Sequence, residues 1–339
     1  MNREIVIALD GMGGDQAPDV TVQGAVDVAG PNLRVLLVGD RDALAPRLDA
    51  LSARPGAAFV EIVHAPDKVF SSEDGARAVR AKPESSVVVA CKLVRDGRAQ
   101  GAVSLGHSGA MMAAATLHMR RIPGVQRPGI GVVLPSSAGF IVLVDAGANA
   151  DARPEHLLQF AIMGRLFAQG VLGDPAPKVG LLSIGEEEGR GSELVQQATP
   201  LLQQTPGFIG NVEGRDIPRG TARVVVTDGF TGNVALKLYE GSAEFLFAEI
   251  RGAVSETLVG RIGGLLVRPS IRRMRHRLDP EGVGGAILLG VQGLAVIGHG
   301  SASATAVVNA IHTAARGARE DVVGRLAAEL AAPPASAPA

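Results

Sequence analysis

The chain is poor in aromatic residues and in cysteine. Among its 339 residues there is no Trp, one Tyr and one Cys. A lone thiol, Cys91, excludes an intrachain disulfide and a cysteine metal cluster, which suits a reducing compartment such as the cytoplasm. Cys91 also lies among valines and leucines at helical spacing. This pattern predicts a buried, unreactive thiol rather than a nucleophile.

The chain also lacks an excess of charge of either sign. It has 33 Lys and Arg against 34 Asp and Glu, so no overall field attracts nucleic acid, and no nucleic-acid partner is expected. The region 282–315 contains no Asp, Glu, Lys or Arg. Its many Gly, Ser, Gln and His residues nevertheless argue against a membrane span. Residues 1–10 lack the basic leader and apolar segment of a signal peptide. We expect a cytoplasmic protein.

Glycine is abundant, with 44 residues, and short aliphatic runs repeatedly end in it. The runs that read as buried strands are 5–9, 35–38, 103–105, 131–134, 141–144, 179–184, 224–227 and 294–297. Stretches with helical spacing alternate with them, at 87–95, 110–120, 154–169, 192–202 and 302–315. This alternation predicts a three-layer α/β/α fold with a mostly parallel sheet. We expect one domain over residues 1–330 and a disordered tail over 331–339.

Glycine-rich turns follow many of these strands, at 11–18, 106–110, 145–149, 184–192, 227–233 and 298–303. In α/β sheets, ligands collect beyond the carboxyl ends of the strands. Glycine lets backbone N–H groups approach a ligand oxygen, and a following helix adds its positive end. The turns therefore favour phosphate, although tight connections alone also select glycine. No P-loop, complete dinucleotide fingerprint, zinc-binding helix or serine elbow is present, so no cofactor or metal is expected.

Three side chains in these turns are suited to chemistry. His107 and His299 lie where a neutral imidazole donates a hydrogen bond or passes a proton, or where it only holds its turn. Arg190 stands between Gly189 and Gly191, which suits bidentate phosphate binding. The acidic run 186–188 beside it favours a solvated loop over a metal site.

Three long stretches carry a resemblance to a known family. They are IALDGMGGDQAPD at 7–19, the region 208–241 that contains VTDGFTGN, and GGAILLGVQGLAVIGHGSASATAVVNAI at 284–311. Together they closely resemble the bacterial PlsX family of acyl-carrier-protein:phosphate acyltransferases. The resemblance runs from about Ile5 to about Ile311.

The resemblance implies that inorganic phosphate attacks the thioester of a long-chain acyl carrier protein. The acyl phosphate formed would then feed a membrane enzyme that acylates glycerol 3-phosphate. The resemblance also implies a homodimer related to phosphotransacetylases and to isocitrate-dehydrogenase-like folds. Phosphate is already a nucleophile and a thiolate leaves readily, so the protein has mainly to orient the reactants and stabilise the oxyanion. No covalent intermediate is required.

The residues that match family motifs take the following implied roles. Substrate or phosphate binding falls to Asp10, Gly13, Gly14, Asp15, His107, Ser108, Asn149 and Asp228. Catalytic positioning and charge stabilisation fall to Arg190, Lys237, Asn233 and His299. The chain departs from the family pattern at Gln16, His107, Ser108, Glu186 and Arg190. Because arginine does not give up a proton, Arg190 is expected to supply charge alone.

Residues 243–278 differ from the rest of the chain, because apolar residues at near-helical spacing are followed by an arginine cluster. Gly263, Gly264 and Pro269 are expected to break this protruding segment into two helices. The segment is predicted to contact a membrane or the acidic carrier protein through Leu258, Ile262, Leu265, Arg272 and Arg273. A dimer or core face is the alternative.

Two other functions remain open on the sequence. A phosphotransacetylase acting on short acyl-CoA would use similar anion-binding turns. A non-catalytic acyl-binding module would also have an aliphatic core. The polar residues gathered at the strand ends argue against that module, since binding an apolar chain does not require them.

Overall fold

The computed structural model describes residues 4–277 and 284–331. The strands are β1 (Ile5–Asp10), β2 (Leu33–Gly39), β3 (Val60–His64), β4 (Gly101–Ser104), β5 (Gly129–Ser136), β6 (Gly139–Val144), β7 (Val179–Leu182), β8 (Phe208–Val212), β9 (Val224–Val226), β10 (Ala286–Leu289) and β11 (Leu294–Ile297). The helices are α1 (Asp19–Val28), α2 (Arg41–Ala50), α3 (Gly75–Ala81), α4 (Ser86–Arg95), α5 (Ser108–Ala114), α6 (Pro154–Val171), α7 (Glu193–Leu202), α8 (Asp216–Arg219), α9 (Gly229–Glu256), α10 (Leu258–Arg277), α11 (Ala304–Arg319) and α12 (Val322–Ala331). A 3₁₀ turn (Pro55–Phe59) and a π-helical turn (Ala115–Met119) complete the described elements.

The described strands form one sheet in the order β3-β2-β1-β4-β11-β10-β5-β6-β9-β7-β8. The first five of these strands run parallel to one another, and so do the last four. Between the two groups lie three antiparallel pairings, β11 with β10, β10 with β5, and β5 with β6. Three reversals leave the two groups running in opposite directions. The carboxyl ends of β1, β4 and β11 therefore lie at one edge of the sheet, here called the first edge, and those of β6, β7 and β9 at the opposite, second edge.

The predicted mostly parallel α/β architecture is confirmed, and its core is aliphatic. Every residue of β4, β7, β9 and β11 is buried. Strands covered on both faces need apolar side chains in both directions, which produces continuous aliphatic runs. The sequence prediction missed β3, β8 and β10. Strands β3 and β8 lie at the two margins of the sheet and are only partly buried, so their apolar signal is weak.

Cys91 is buried in α4, and its Sγ lies 3.9 Å from the Sδ of Met111. Burial is the main cause that raises the pKa of this thiol far above its usual value. The prediction of a buried thiol is confirmed, and the raised pKa disfavours the thiolate that a nucleophile requires.

The break in the 243–278 segment was predicted at the wrong place. The two helices separate at Thr257, whose backbone is extended with φ −119° and ψ 157°, while Gly263, Gly264 and Pro269 all lie inside α10. A Cβ on Gly264 would lie 2.4 Å from Cγ1 of Val254. Glycine at this position lets α9 and α10 pack closely, and this tertiary contact overrides its low helix propensity.

The α9–α10 hairpin, residues 241–277, has no buried residue among those whose burial the structure describes. In α9 the last buried side chain is that of Leu236. None of the described helices is both long enough and apolar enough to cross a bilayer.

Helices α1 and α11 pack against each other at Gly24, where a Cβ would lie 2.5 Å from Cβ of Val307. We expect Gly24→Ala to lower the free energy of unfolding by about 1 to 3 kcal/mol, because the added methyl group overpacks this contact. Gly252→Ala is the matched control, since a Cβ there meets nothing within 4 Å. The control should be neutral or stabilising by up to about 1 kcal/mol. Urea unfolding of both variants measures the difference, and equal effects would contradict the proposed packing.

Candidate active site

Three turns meet at the first edge, where the adjacent strands β1, β4 and β11 end. The backbone N–H of Asp15 donates to the carbonyl of Gly300 at 2.8 Å. Gly14 has a φ of +113°, and a Cβ there would lie 3.3 Å from the carbonyl oxygen of Leu105 and 3.4 Å from that of Gly300. Only glycine takes this backbone conformation readily. The turns lead into α1, α5 and α11, so the starts of three helices converge at this edge.

Asp10 lies at the centre of this cluster and is only 3% exposed. Its Oδ2 accepts a hydrogen bond from Oγ of Ser104 at 2.7 Å, and its Oδ1 accepts from the N–H of Met12 at 3.2 Å. A Cβ on Gly13 would lie 2.5 Å from Oδ2 of Asp10, so a larger residue is excluded there. The carboxylate thus joins the end of β4 to the turn after β1.

Burial raises the pKa of the Asp10 carboxyl above its ordinary value. The hydroxyl groups of Ser86 and Ser104, and the N–H groups of Met12 and Gly13, act in the opposite direction because they stabilise the charged form. The desolvation cost exceeds their combined effect. Asp10 is therefore a buried carboxyl that binds a proton more readily in the folded chain than in the unfolded one.

His107 is the N-cap of α5, and both of its ring nitrogens are used within the chain. Nδ1 accepts from the N–H of Ala110 at 3.3 Å, which leaves the proton on Nε2, and Nε2 donates to the carbonyl of Glu73 at 2.8 Å. His107 thus holds its own turn and fixes the loop before α3. Its assignment to phosphate binding stays a prediction. Ser108, the first residue of α5, is exposed.

His299 has a different arrangement, because its side chain is exposed at the first edge. Its Nδ1 lies 2.9 Å from Oγ of Ser301 and accepts from the N–H of Ser301 at 3.4 Å. An accepting Nδ1 places the proton of the neutral ring on Nε2. Within the described part of the chain, no hydrogen bond is made by Nε2, so this N–H is available to a ligand.

A second cluster lies at the second edge, around Asp145, which is fully buried. Its carboxylate accepts hydrogen bonds from the backbone N–H groups of Ile130, Gly147, Ala148 and Asn149 and from Nδ2 of Asn149, at 2.7 to 3.1 Å. Asn149 Nδ2 also donates to the carbonyl of Pro128 at 2.8 Å. The side chain of Asn149 is therefore occupied in fixing the 145–149 turn.

The remaining predicted residues surround this second cluster or follow it. Asp228 caps α9 by accepting from the N–H of Thr231 at 2.9 Å, and a Cβ on Gly147 would lie 3.5 Å from Oδ1 of the exposed Asn233. Lys237 is exposed one turn further along α9 and pairs with Glu240 at 2.8 Å.

Arg190 follows β7 on an exposed loop, and its Nε lies 3.7 Å from Oε2 of Glu187. Glu186 in the same loop pairs with Arg215 at 3.1 Å. This acidic stretch is thus an exposed, ion-paired loop.

The structure therefore separates the predicted site residues into two groups at opposite edges. The first edge gathers Asp10, Gly13, Gly14, Asp15, His107, Ser108 and His299. Asn149, Asp228, Asn233, Lys237 and Arg190 belong to the second edge. The reversal at the centre of the sheet explains the separation, because hydrophobic periodicity carries no information on strand direction. The individual roles of these residues stay predictions.

Sequence reasoning missed several residues that build the two clusters. Ser86 and Ser104 bond to Asp10, and Asp145 organises the second cluster. Asp145 had a signal, because an acidic residue directly before a Gly- and Asn-containing turn after a buried strand is suited to capping N–H groups. No sequence signal pointed to Ser86. It follows β3 and α3 in the chain, and only the folded structure places it next to Asp10.

The fold is that of the phosphotransacetylases. EutD phosphotransacetylase from Staphylococcus aureus superposes with a TM-score of 0.63 at 18% identity, covering 93% of this chain and 94% of that one. A 4-hydroxythreonine-4-phosphate dehydrogenase from Klebsiella pneumoniae superposes with a TM-score of 0.52 at 13% identity, covering 93% and 99%. The predicted relation to phosphotransacetylase and dehydrogenase-like folds is confirmed.

Sequence comparison gives the family. The model of the fatty acid synthesis protein family, the PlsX family, matches residues 5–325, and the chain belongs to this family. Phosphate acyltransferase from Elusimicrobium minutum is 48% identical over 91% of both chains. Phosphate acyltransferase from Thermus thermophilus is 52% identical over 90% of this chain and 92% of its own. The protein is accordingly an enzyme of the phosphate acyltransferase class.

The raised pKa of Asp10 predicts a specific dependence of stability on pH. A carboxyl whose pKa is higher in the folded state destabilises the fold as pH rises from its unfolded pKa to its folded pKa. We therefore expect the stability of the wild type relative to Asp10→Asn to decrease with pH across that window. Ser104→Ala should extend the window to higher pH, because it removes a donor to the carboxylate. Urea unfolding at several pH values measures this, and parallel curves for wild type and Asp10→Asn would disprove it.

Proposed function

We propose that this phosphate acyltransferase transfers a long-chain acyl group from the thioester of an acyl carrier protein to inorganic phosphate. The oxygen of phosphate forms a bond to the acyl carbonyl carbon, and the C–S bond breaks to release the carrier as its thiolate. The observation that supports this proposal most is the meeting of three turns at the first edge. Such a cluster of backbone N–H groups and helix starts suits a small anion.

Phosphate is proposed to bind at the turn of Gly13 and Gly14, next to Ser108 at the start of α5. The Asp10 carboxylate sets this turn by bonding to Ser104 and Met12. Asp15, whose N–H bonds to Gly300, joins the same turn to the one that carries His299. The binding site is thus assembled from three strands that are fixed relative to one another by the sheet.

His299 is proposed to donate from Nε2 to the oxyanion that forms on the acyl carbonyl. Its Nδ1 is held by Ser301, which fixes the tautomer with the proton on Nε2. A donor fixed before the reaction stabilises developing charge without reorganisation. The thiolate leaves without needing a strong acid, and no enzyme nucleophile is required.

The protein is proposed to act as a homodimer. Phe230, Val234 and Leu238 form an exposed apolar stripe at successive turns of α9, and Ile184 at the same edge is 82% exposed. A second copy that covers this surface would bury apolar side chains that one chain leaves in water. This surface is bordered by Arg190, Lys237 and Asn233. Their proposed roles at the thioester require the second edge of the partner to lie against the first edge of this chain.

The α9–α10 hairpin is proposed to make peripheral contact with the membrane, where a glycerol-3-phosphate acyltransferase would consume acyl phosphate. Ile262 and Leu265 are 58% and 67% exposed. At Leu258, Arg272 and Arg273 the structure describes the helical backbone but not the side chains. Exposed apolar side chains on a helix suit the boundary between headgroups and acyl chains.

The proposed reaction has a direct test. Purified protein is incubated with palmitoyl carrier protein and phosphate, and acyl phosphate is trapped with hydroxylamine. We expect phosphate-dependent hydroxamate, and His299→Ala should lower kcat about 100-fold, as expected for loss of an oxyanion donor. Acetyl-CoA as a better acyl donor would favour a phosphotransacetylase. Binding of the acyl carrier without thiol release would favour a non-catalytic module.

Membrane contact predicts that Ile262→Glu with Leu265→Glu abolishes sedimentation with vesicles of anionic phospholipid, because two charges oppose insertion of the apolar face. Ile209→Glu is the control, since Ile209 is also exposed but lies on β8. The control should sediment like the wild type. Unchanged sedimentation of the double variant would refute the membrane contact.

A further inference from the structure

The loop of residues 65–74 begins at the first edge, where β3 ends, and passes β2 and β1 to reach the turn that follows β4. Its Glu73 carbonyl accepts the hydrogen bond from Nε2 of His107 at 2.8 Å. At the start of α3, a Cβ on Gly75 would lie 2.5 Å from the N–H nitrogen of Ala110. The loop and α3 thus lie directly beside the start of α5, next to the proposed phosphate turn.

Phe70 in this loop is held outward rather than packed into the core. It is 52% exposed, and the ammonium groups of Lys68 and Lys82 each lie 5.0 Å from the centre of its ring. Lys82 also pairs with Glu73 at 2.7 Å and donates to the carbonyl of Lys68 at 3.1 Å. Two cation–π contacts, and the ion pair that positions Lys82, therefore favour this exposed orientation of the ring. An exposed aromatic side chain is typical of an interface anchor.

Three cations outside the described ion pairs lie on the same loop and on the helix that follows it. Arg77 and Arg80 are three residues apart on α3 and exposed, and together with Lys68 they form no ion pair within the described part of the chain. Two of the four neighbouring anions are in ion pairs, Glu73 with Lys82 and Glu84 with Lys92. Asp67 and Asp74, the N-cap of α3, keep their charges against the three cations. The loop and α3 therefore present a small excess of positive charge together with one apolar anchor.

We propose that Lys68, Phe70, Arg77 and Arg80, here called the α3 surface, dock the acidic carrier protein and direct its thioester arm to the first edge. This inference rests on the proposed function. Charge complementarity selects an acidic partner, and the position beside α5 brings its arm to the proposed phosphate turn. One aromatic side chain among cations suits a protein partner, whereas a membrane requires the broader apolar face that the α9–α10 hairpin presents.

Kinetics with two acyl donors test the docking. The variants are Phe70→Ala and the double reversal Arg77→Glu with Arg80→Glu. For the double reversal we expect KM for palmitoyl carrier protein to rise about tenfold or more, with a weaker dependence on salt. The kcat/KM for palmitoyl-pantetheine should stay within about twofold, because that donor has neither an acidic protein to dock nor the phosphates of coenzyme A. Lys178→Glu with Arg319→Glu is the matched control, since both residues are exposed and lie away from α3.

An unchanged KM for the carrier in the double reversal would overturn the proposal. An equal rise of this KM in the control would also overturn it. A rise of KM in Arg268→Glu on α10, with no rise in the α3 variants, would do the same. Loss of vesicle sedimentation with unchanged carrier affinity would assign the α3 surface to the membrane instead.

If the wild type forms no acyl phosphate, the proposed function fails while docking is still measured. Fluorescence anisotropy of labelled holo carrier protein then reports its affinity for wild type and variants. Weaker binding to the Arg77→Glu, Arg80→Glu variant supports the α3 surface, and equal binding rejects it.

Discussion

The buried hydrogen bond between Asp10 and Ser104 sets the geometry of the first edge. A buried carboxylate is costly unless donors surround it, so the chain around Asp10 is arranged to supply them. Ser104 ties the end of β4 to the end of β1, and Met12 turns its N–H back toward the same carboxylate. The close approach excludes any side chain at position 13. The turn that results has no Cβ at Gly13 or Gly14, so an anion can approach its backbone closely.

Asp145 has the corresponding position in the other half of the sheet, after β6, and orders the 145–149 turn through five hydrogen bonds. Each half of the molecule is thus organised around one buried carboxylate at a strand end. The two differ in their donors. Asp145 receives mostly backbone N–H groups of its own turn, whereas Asp10 receives the Ser104 hydroxyl from a neighbouring strand. Asp10 therefore couples two segments distant in sequence, and this coupling brings the β1 and β4 turns into one site.

Much of the fold follows from the sequence, because buried strands leave long aliphatic runs and glycine marks their ends. The direction of the strands does not, since the antiparallel pairings of β10 and β5 depend on contacts far apart in the chain. The same limit applies to the site. His107 was recognisable as a functional type of residue, but only the fold shows that Glu73 and Ala110 use both of its nitrogens. Likewise, Gly264 reads as a helix breaker until Val254 is seen packed against it.

The proposed function, in which an acyl group passes from an acidic carrier to phosphate and then to a membrane enzyme, requires two contacts of different physical character. Carrier docking must be reversible at every turnover, which long-range charge attraction around a small anchor provides. Membrane contact has to outlast many turnovers and depends on buried apolar area. The chain has a surface of each kind, with cations around Phe70 beside α5 and apolar side chains along the α9–α10 hairpin. Because the two proposed surfaces belong to different elements, the proposal lets the carrier exchange while the membrane contact is kept.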